Sequence, residues 1–350
     1  MKIRTIASVL SIAMLLGMLG CGAADKQAVT ETANSANQEM KEKEAAESTS
    51  YTVTHAFGET TLTKKPERVV SISWGNQDAA LALGVVPAGT SMATYGLADG
   101  GELLPWTLEK YKELGEDSPV IFKDTDGLDY EAISDAKPDV ILAAYSGITQ
   151  EEYNLLSEIA PVIAYPKLPW QTYWREQITV NAEGMGLKEE GEALVAELER
   201  LIEQKTSQYP QLKDKTAAFC YFNPADLGKF YVYLPSDSRA AFLTDLGLKF
   251  PESVSELAKE SDNFFVELSA ENVDILEDVD IIAAYGQEGL MQALQADALL
   301  ATIPAITNGS IAFYEDNTPI AAACNPTALS IPATIDEFVQ VLGEVADKVQ

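Results

Sequence analysis

Short apolar runs recur along the chain, separated by amphipathic stretches and turn residues. RVVSIS (68–73), PDVILAAY (138–145) and PVIAY (161–165) are β-rich, and VVPAGTS (85–91) is extended. The second half repeats the scheme with TAAFCYF (216–222), VDIIAAY (279–285) and SIAFYE (310–315). Continuous apolar runs without polar alternation suit strands covered on both faces. Between them, QDAALALG (77–84), TQEEYNLLSEIA (149–160), SRAAFLTDLGL (238–248) and LMQALQADALLATI (290–303) read as helices. A further helix is predicted from near Thr334. Strand–helix–strand alternation predicts mostly parallel sheets with helices on their faces.

The alternation is interrupted once. After QTYWREQITVNAEGMG, the stretch LKEEGEALVAELERLIEQKTSQY places Leu194, Leu198, Leu201 and Ile202 at helical spacing among charged residues. About twenty residues at 1.5 Å each make a rod of ~30 Å, long enough to cross between lobes. The expected fold is therefore α/β, with two Rossmann-like lobes joined by a single long helix and a ligand cleft between them. The N-terminal lobe is expected at 51–170, the linking helix at 171–210 and the C-terminal lobe at 211–350. Such a link should permit only small opening motions.

A second pattern crosses the two halves. LDYEAISDAKPDVILAAY (128–145) and LSAENVDILEDVDIIAAY (268–285) align at an offset of 140 without a gap. Asp129 and Ser269 are good N-cap residues. Glu131 and Glu271 then fall in a first helical turn, where the dipole favours negative charge.

The ends and the composition narrow the function. Lys2 and Arg4 precede an apolar stretch over 5–20 and then Cys21, so 1–20 reads as a signal peptide. MLGC resembles a bacterial lipobox, which makes Cys21 the lipidated residue. Residues 21–50 have no apolar stripe and read as a flexible tether. With 54 acidic and 24 basic residues the formal charge is −30, which argues against nucleic acid as a partner. The one histidine, His55, cannot make a zinc or manganese cluster, and no metal site is expected. No GxGxxG motif and no nucleophile–base pair is evident, so no enzyme activity is expected. Cys220 and Cys324 lie in apolar runs; buried thiols and a disulfide both remain open.

HAFGETTLTKKPERVVSISWGNQDAALALGVVPAG, YEAISDAKPDVILAAY, EIAPVIAYP and TALSIPATIDEF, in this order, cover nearly the whole chain after the tether. Together they resemble the iron-siderophore substrate-binding lipoproteins of bacterial ABC importers, relatives of the ferrichrome-, enterobactin- and cobalamin-binding proteins. The resemblance implies a monomer, lipid-anchored at the extracytoplasmic face of the cell membrane. It would capture a ferric siderophore and deliver it to an ABC permease dimer with its ATPase. Iron would be held by the siderophore, with no cofactor. The resemblance also implies that Glu131 and Glu271 dock on permease arginines. A haem- or cobalamin-binding receptor of the same fold, with Tyr231 as haem ligand, is the first alternative, and an enzyme on a Rossmann-like lobe is the second.

In parallel α/β sheets ligands bind beyond the carboxyl ends of the strands. Segments placed there carry Trp74, Asn76, Tyr95, Tyr145, Trp170, Trp174, Arg175, Tyr231, Tyr233 and Arg239, with Tyr221 at the end of its strand. Aromatic walls with one or two guanidinium forks suit a bulky ferric complex rich in oxygen. These residues are the candidate binding set.

Overall fold

A computed structural model describes residues 50–97 and 100–349. The expected signal peptide and the expected tether with Cys21, up to Thr49, lie outside the described residues. The described residues open with a hairpin of β1 (Tyr51–His55) and β2 (Gly58–Leu62). His55 is buried in it, its Nε2 2.9 Å from Thr60 Oγ1, and burial lowers its pKa.

The first lobe alternates β3 (Val69–Ser71), α1 (Asn76–Ala82), β4 (Gly89–Ser91), α2 (Pro105–Glu113), β5 (Ile121–Phe122), α3 (Tyr130–Asp135), β6 (Val140–Ala143), α4 (Gln150–Ile159) and β7 (Val162–Ala164). Its sheet runs β5-β4-β3-β6-β7, parallel throughout. Every residue of β6 is buried, as its unbroken apolar run requires. Helix α4 begins with a capping box. Glu152 N donates to Thr149 Oγ1, and Thr149 N donates to Glu152 Oε2.

The connecting stretch folds as two helices, α5 (Trp174–Gly184) and α6 (Lys188–Thr206). The predicted long helix is α6, of 19 residues. The stretch before it turns at Gly186, with φ +66°, and packs beside it. A Cβ on Gly191 would come within 2.4 Å of Ala182 Cβ, so glycine lets the two helices touch. Ala182, Met185 and Leu187 join the first lobe's core with Val53 and Leu62. Trp174, Ile178, Leu198 and Ile202 join the second lobe's core with Phe242 and Phe338. The link is thus a helical hairpin anchored in both cores.

The second lobe holds β8 (Ala217–Asn223), β9 (Asp226–Tyr233), α7 (Ser238–Asp245), α8 (Glu252–Leu257), β10 (Phe265–Ser269), β11 (Ile281–Gly286), α9 (Leu290–Ala296), α10 (Pro304–Asn308), β12 (Ile311–Glu315), α11 (Pro319–Ala323) and α12 (Ser330–Ala346). Its sheet runs β10-β9-β8-β11-β12. Strands β8, β11 and β12 are parallel, while β9 is antiparallel to both its neighbours. Tyr231 and Tyr233 are expected in a segment beyond a strand end, yet residues 226–233 form the strand β9. Phe230 and Val232 are fully buried while Tyr231 and Tyr233 face the other side, a period-two pattern hidden by aromatics on both faces. Helix α12 starts four residues before Thr334, because Pro332 is tolerated in a first turn. The predicted helix over 290–303 breaks at Asp297, whose Oδ1 accepts the Leu299 and Leu300 N–H groups at 2.9 Å.

The repeated segments keep their predicted caps. Asp129 Oδ1 accepts from Ala132 N at 3.0 Å ahead of α3, and Ser269 Oγ accepts from Glu271 N at 3.3 Å ahead of a 3₁₀ turn, Ala270–Leu276. Glu131 and Glu271 are both exposed. Cys220 and Cys324 are separate, fully buried thiols. Among the described residues no helix is long and apolar enough to cross a membrane.

Candidate functional site: a cleft between the lobes

One cleft of about 520 Å³ is walled by both lobes, within the range usual for small-molecule sites. The first lobe contributes the segments after its strands. Ser73 and Trp74 follow β3, Met92 to Tyr95 follow β4, Asp124 follows β5, Tyr145 to Ile148 follow β6, and Trp170 follows β7. The second lobe contributes Arg239 from the start of α7, Phe264, Tyr285 from β11, and Ala321, Ala322 and Asn325 around α11.

Aromatic contacts fix the walls. Trp170 meets Tyr145 edge-on, with ring centroids 5.4 Å apart. Its backbone is left-handed, with φ +60°, and its N–H donates to Ser146 O at 3.0 Å. A Cβ on Gly147 would fall 2.1 Å from the Trp170 Nε1, so only glycine seats this indole. Across the cleft Tyr95 packs against Tyr285 at 5.8 Å. The Tyr95 hydroxyl donates to Asp316 Oδ1 at 2.5 Å and accepts from Asn317 N at 3.0 Å, tying the lobes together.

Arg239 is held on three sides. Its Nε and Nη2 donate to Asp237 Oδ1 and Oδ2 at 2.9 and 2.7 Å. Its Cζ lies 4.0 Å from the centroid of the Tyr233 ring, and Nη1 is 3.4 Å from the Tyr285 hydroxyl. Asp237 has 0% exposure and also caps α7 through the Arg239 and Ala240 N–H groups. Burial alone would lower the Arg239 pKa, but the charge of Asp237 reverses this and raises it. The guanidinium is thus permanently charged, preoriented and already matched by one carboxylate.

The sequence model of the family described as periplasmic binding protein matches residues 69–318, well over half of the chain. The chain belongs to the periplasmic binding protein family. The structure of PiaA from Streptococcus pneumoniae TIGR4, in complex with ferrichrome, is 48% identical with a TM-score of 0.83. The match covers 85% of this periplasmic binding protein and 99% of that chain. The "Probable siderophore-binding lipoprotein YfiY" of Bacillus subtilis is 25% identical over 71% of this chain and 72% of its own. The Fe(3+) dicitrate-binding periplasmic protein FecB of Escherichia coli K12 is 26% identical over 76% and 85%.

Within this binding protein, Trp74, Tyr95, Tyr145, Trp170 and Arg239 line the cleft. The other predicted residues stand elsewhere. Asn76 is fully buried. Its Nδ2 donates to Ile72 O and Tyr145 O, and its Oδ1 accepts from Tyr145 N and Asn181 Nδ2, so it holds the Tyr145 segment in place. Trp174 is 2% exposed, a core residue whose Nε1 donates to Asp245 Oδ2 at 2.8 Å. Arg175 stacks on Trp174 at 4.2 Å and pairs with Glu199 and Asp245 at 2.6 and 2.9 Å, which occupies its fork. Tyr221 and Tyr231 face each other across β8 and β9, and Tyr231 donates to Glu267. Tyr233 lies behind Arg239 and supports it.

Asp78, Asp124 and Glu152 were not among the predicted residues. Asp78, 1% exposed beneath the cleft, accepts from Thr107 Oγ1 at 2.7 Å, Trp106 Nε1 at 3.1 Å and Thr327 Oγ1 at 2.5 Å. Thr327 follows α11, so this carboxylate bridges the lobes. Burial pushes its pKa up to about 6 against those three bonds. An acidic residue amid the apolar QDAALALG helix was the available signal. Asp124 and Glu152 line the cleft itself. Among the described residues no cluster of histidine, cysteine or carboxylates suits a metal ion.

Proposed function

We propose that this periplasmic binding protein captures a ferric siderophore in the inter-lobe cleft and delivers it to an ABC permease for iron uptake. The observation that carries the reading is the cleft itself. Four aromatic side chains from one lobe face a preoriented guanidinium on the other. Rings bury the apolar shell of a bulky complex, and the N–H groups that Arg239 does not give to Asp237 meet oxygens around the iron. The likeness to PiaA with ferrichrome makes a hydroxamate complex the first ligand to test. Iron enters as cargo, chelated by its own ligand. Tyr231 is bonded to Glu267 away from the cleft, so nothing there favours its role as a haem ligand.

In this reading Cys21 anchors the protein by lipid at the outer face of the cell membrane, with 21–50 as tether. Glu131 and Glu271, exposed one per lobe, meet basic groups of the permease dimer. Trp74 and Trp170 line the cleft, so ferrichrome should quench tryptophan fluorescence saturably while haemin gives no Soret shift. No quenching by any ferric siderophore, with haemin or cobalamin binding instead, would overturn the proposal.

A further inference from the structure

The charge balance of the cleft leads beyond the identity of the ligand class, and it rests on the function proposed above. Among the described residues that line the cleft Arg239 is the one cation, and Asp237 already matches its charge through two hydrogen bonds. Two further carboxylates line the cleft without a cation. Asp124 Oδ2 accepts from Ser91 Oγ, and Glu152 Oε2 accepts from Thr149 N and Oγ1 at 2.7 and 2.9 Å. Those donors are neutral and carry no charge to cancel. Among the described residues neither carboxylate belongs to an ion pair. The Arg239–Asp237 pair sums to zero and Asp124 with Glu152 adds two negative charges, so the lined space is formally dianionic. A chain charge of −30 acts in the same direction.

We propose that Asp124 and Glu152 set charge specificity, making the cleft reject anionic ferric complexes and prefer a ferric hydroxamate that carries a free ammonium group. A neutral ferric trihydroxamate is accepted because Arg239 still donates hydrogen bonds to its oxygens. A ferric citrate or tris-catecholate brings negative charge toward two carboxylates with no free cation to receive it. At about 8 Å and an effective dielectric of ~20, each carboxylate changes affinity for a unit charge by roughly tenfold or more.

The test is fluorescence titration with three probes: ferrioxamine B (cationic), ferrichrome (neutral) and ferric citrate (anionic). The readout is the ratio of dissociation constants within each protein, so a general loss of affinity cancels. The wild type should order the probes cationic, neutral, anionic. Asp124→Asn and Glu152→Gln, each isosteric, should each narrow the cationic-to-neutral ratio by roughly tenfold or more. Salt should narrow it too, since the screening length falls from about 30 Å at 0.01 M to about 3 Å at 1 M. Ferric citrate binding as tightly as ferrichrome, or ratios indifferent to both substitutions and to salt, would overturn the inference while leaving the siderophore reading intact. If none of the probes binds, and catecholates also fail, the siderophore reading itself falls.

Discussion

Replacing Arg239 tests the site and separates two things that the structure fuses. Arg239→Gln removes the charge while keeping a stem over Tyr233. It also leaves Asp237, at 0% exposure, as a buried carboxylate without its counter-charge. Removing one partner of a buried pair costs about 3–5 kcal/mol. For roughly 300 folded residues the unfolding entropy is about 0.6 kcal/mol per kelvin, so Tm should fall by about 5–8 °C. Separately, loss of a charge-assisted bond to ligand oxygen costs about 1.5–3 kcal/mol, or roughly ten- to a hundredfold in Kd. The double variant Asp237→Asn with Arg239→Gln resolves the two. Asparagine keeps an oxygen for the Arg239 and Ala240 positions' N–H groups at the start of α7 and removes the stranded charge. Its Tm should recover most of the loss, while ferrichrome affinity stays low. Differential scanning fluorimetry and tryptophan quenching read the two quantities on the same samples. If the double variant regains wild-type affinity, Arg239 serves only to balance Asp237 and does not touch the ligand. If the single variant melts like wild type, the Arg239–Asp237 pair contributes nothing to stability.

Three further expectations follow from other parts of the molecule. Glu131→Ala with Glu271→Ala should leave ferrichrome affinity unchanged and lower iron uptake by cells; uptake equal to wild type would reduce both residues to helix-start charges. Cys21→Ser should release the protein from the membrane fraction with its binding intact, and retention without any lipid label on the wild type would refute the anchor. For Asp78, the folded pKa of about 6 lies above an unfolded value near 3.9, so the folded state binds the proton more tightly. Its contribution to stability is therefore greatest below pH ~4, declines as pH rises to about 6 and is level above. The stability difference between wild type and Asp78→Asn, from urea unfolding, should shift by up to about 3 kcal/mol across that window. A difference independent of pH would show that the three donors outweigh burial.

Much of the fold could be read from local pattern. The strands that became β3, β6, β7, β8, β11 and β12 are apolar on both faces, and a run such as VILA has no other way to hide from water. The caps at Asp129, Thr149 and Ser269 were legible because a cap is a contact within a few residues of sequence. Strand β9 was not, since tyrosines on its outer face masked the alternation that buries Phe230 and Val232. The turn at Gly186 was not either, because it depends on Gly191 lying against Ala182.

The cleft divides in the same way. Sequence alone determined which segments end the strands, and so which aromatics could reach a ligand; Trp74, Tyr95, Tyr145 and Trp170 follow from that. It could not distinguish Arg175 from Arg239, two arginines beside aromatic residues in similar surroundings. Tertiary structure decided between them by where the counter-charges fall. Glu199 and Asp245 meet Arg175 from α6 and α7 and occupy its fork outside the cleft. Arg239 keeps Nη1 turned toward Tyr285, a residue of the cleft wall. Asp78 and Thr327, 249 positions apart, show the same limit. Periodicity reports the face on which a residue lies, because neighbours along the chain fix that geometry. The partner it meets there depends on how distant elements pack, and only the folded chain brings them together.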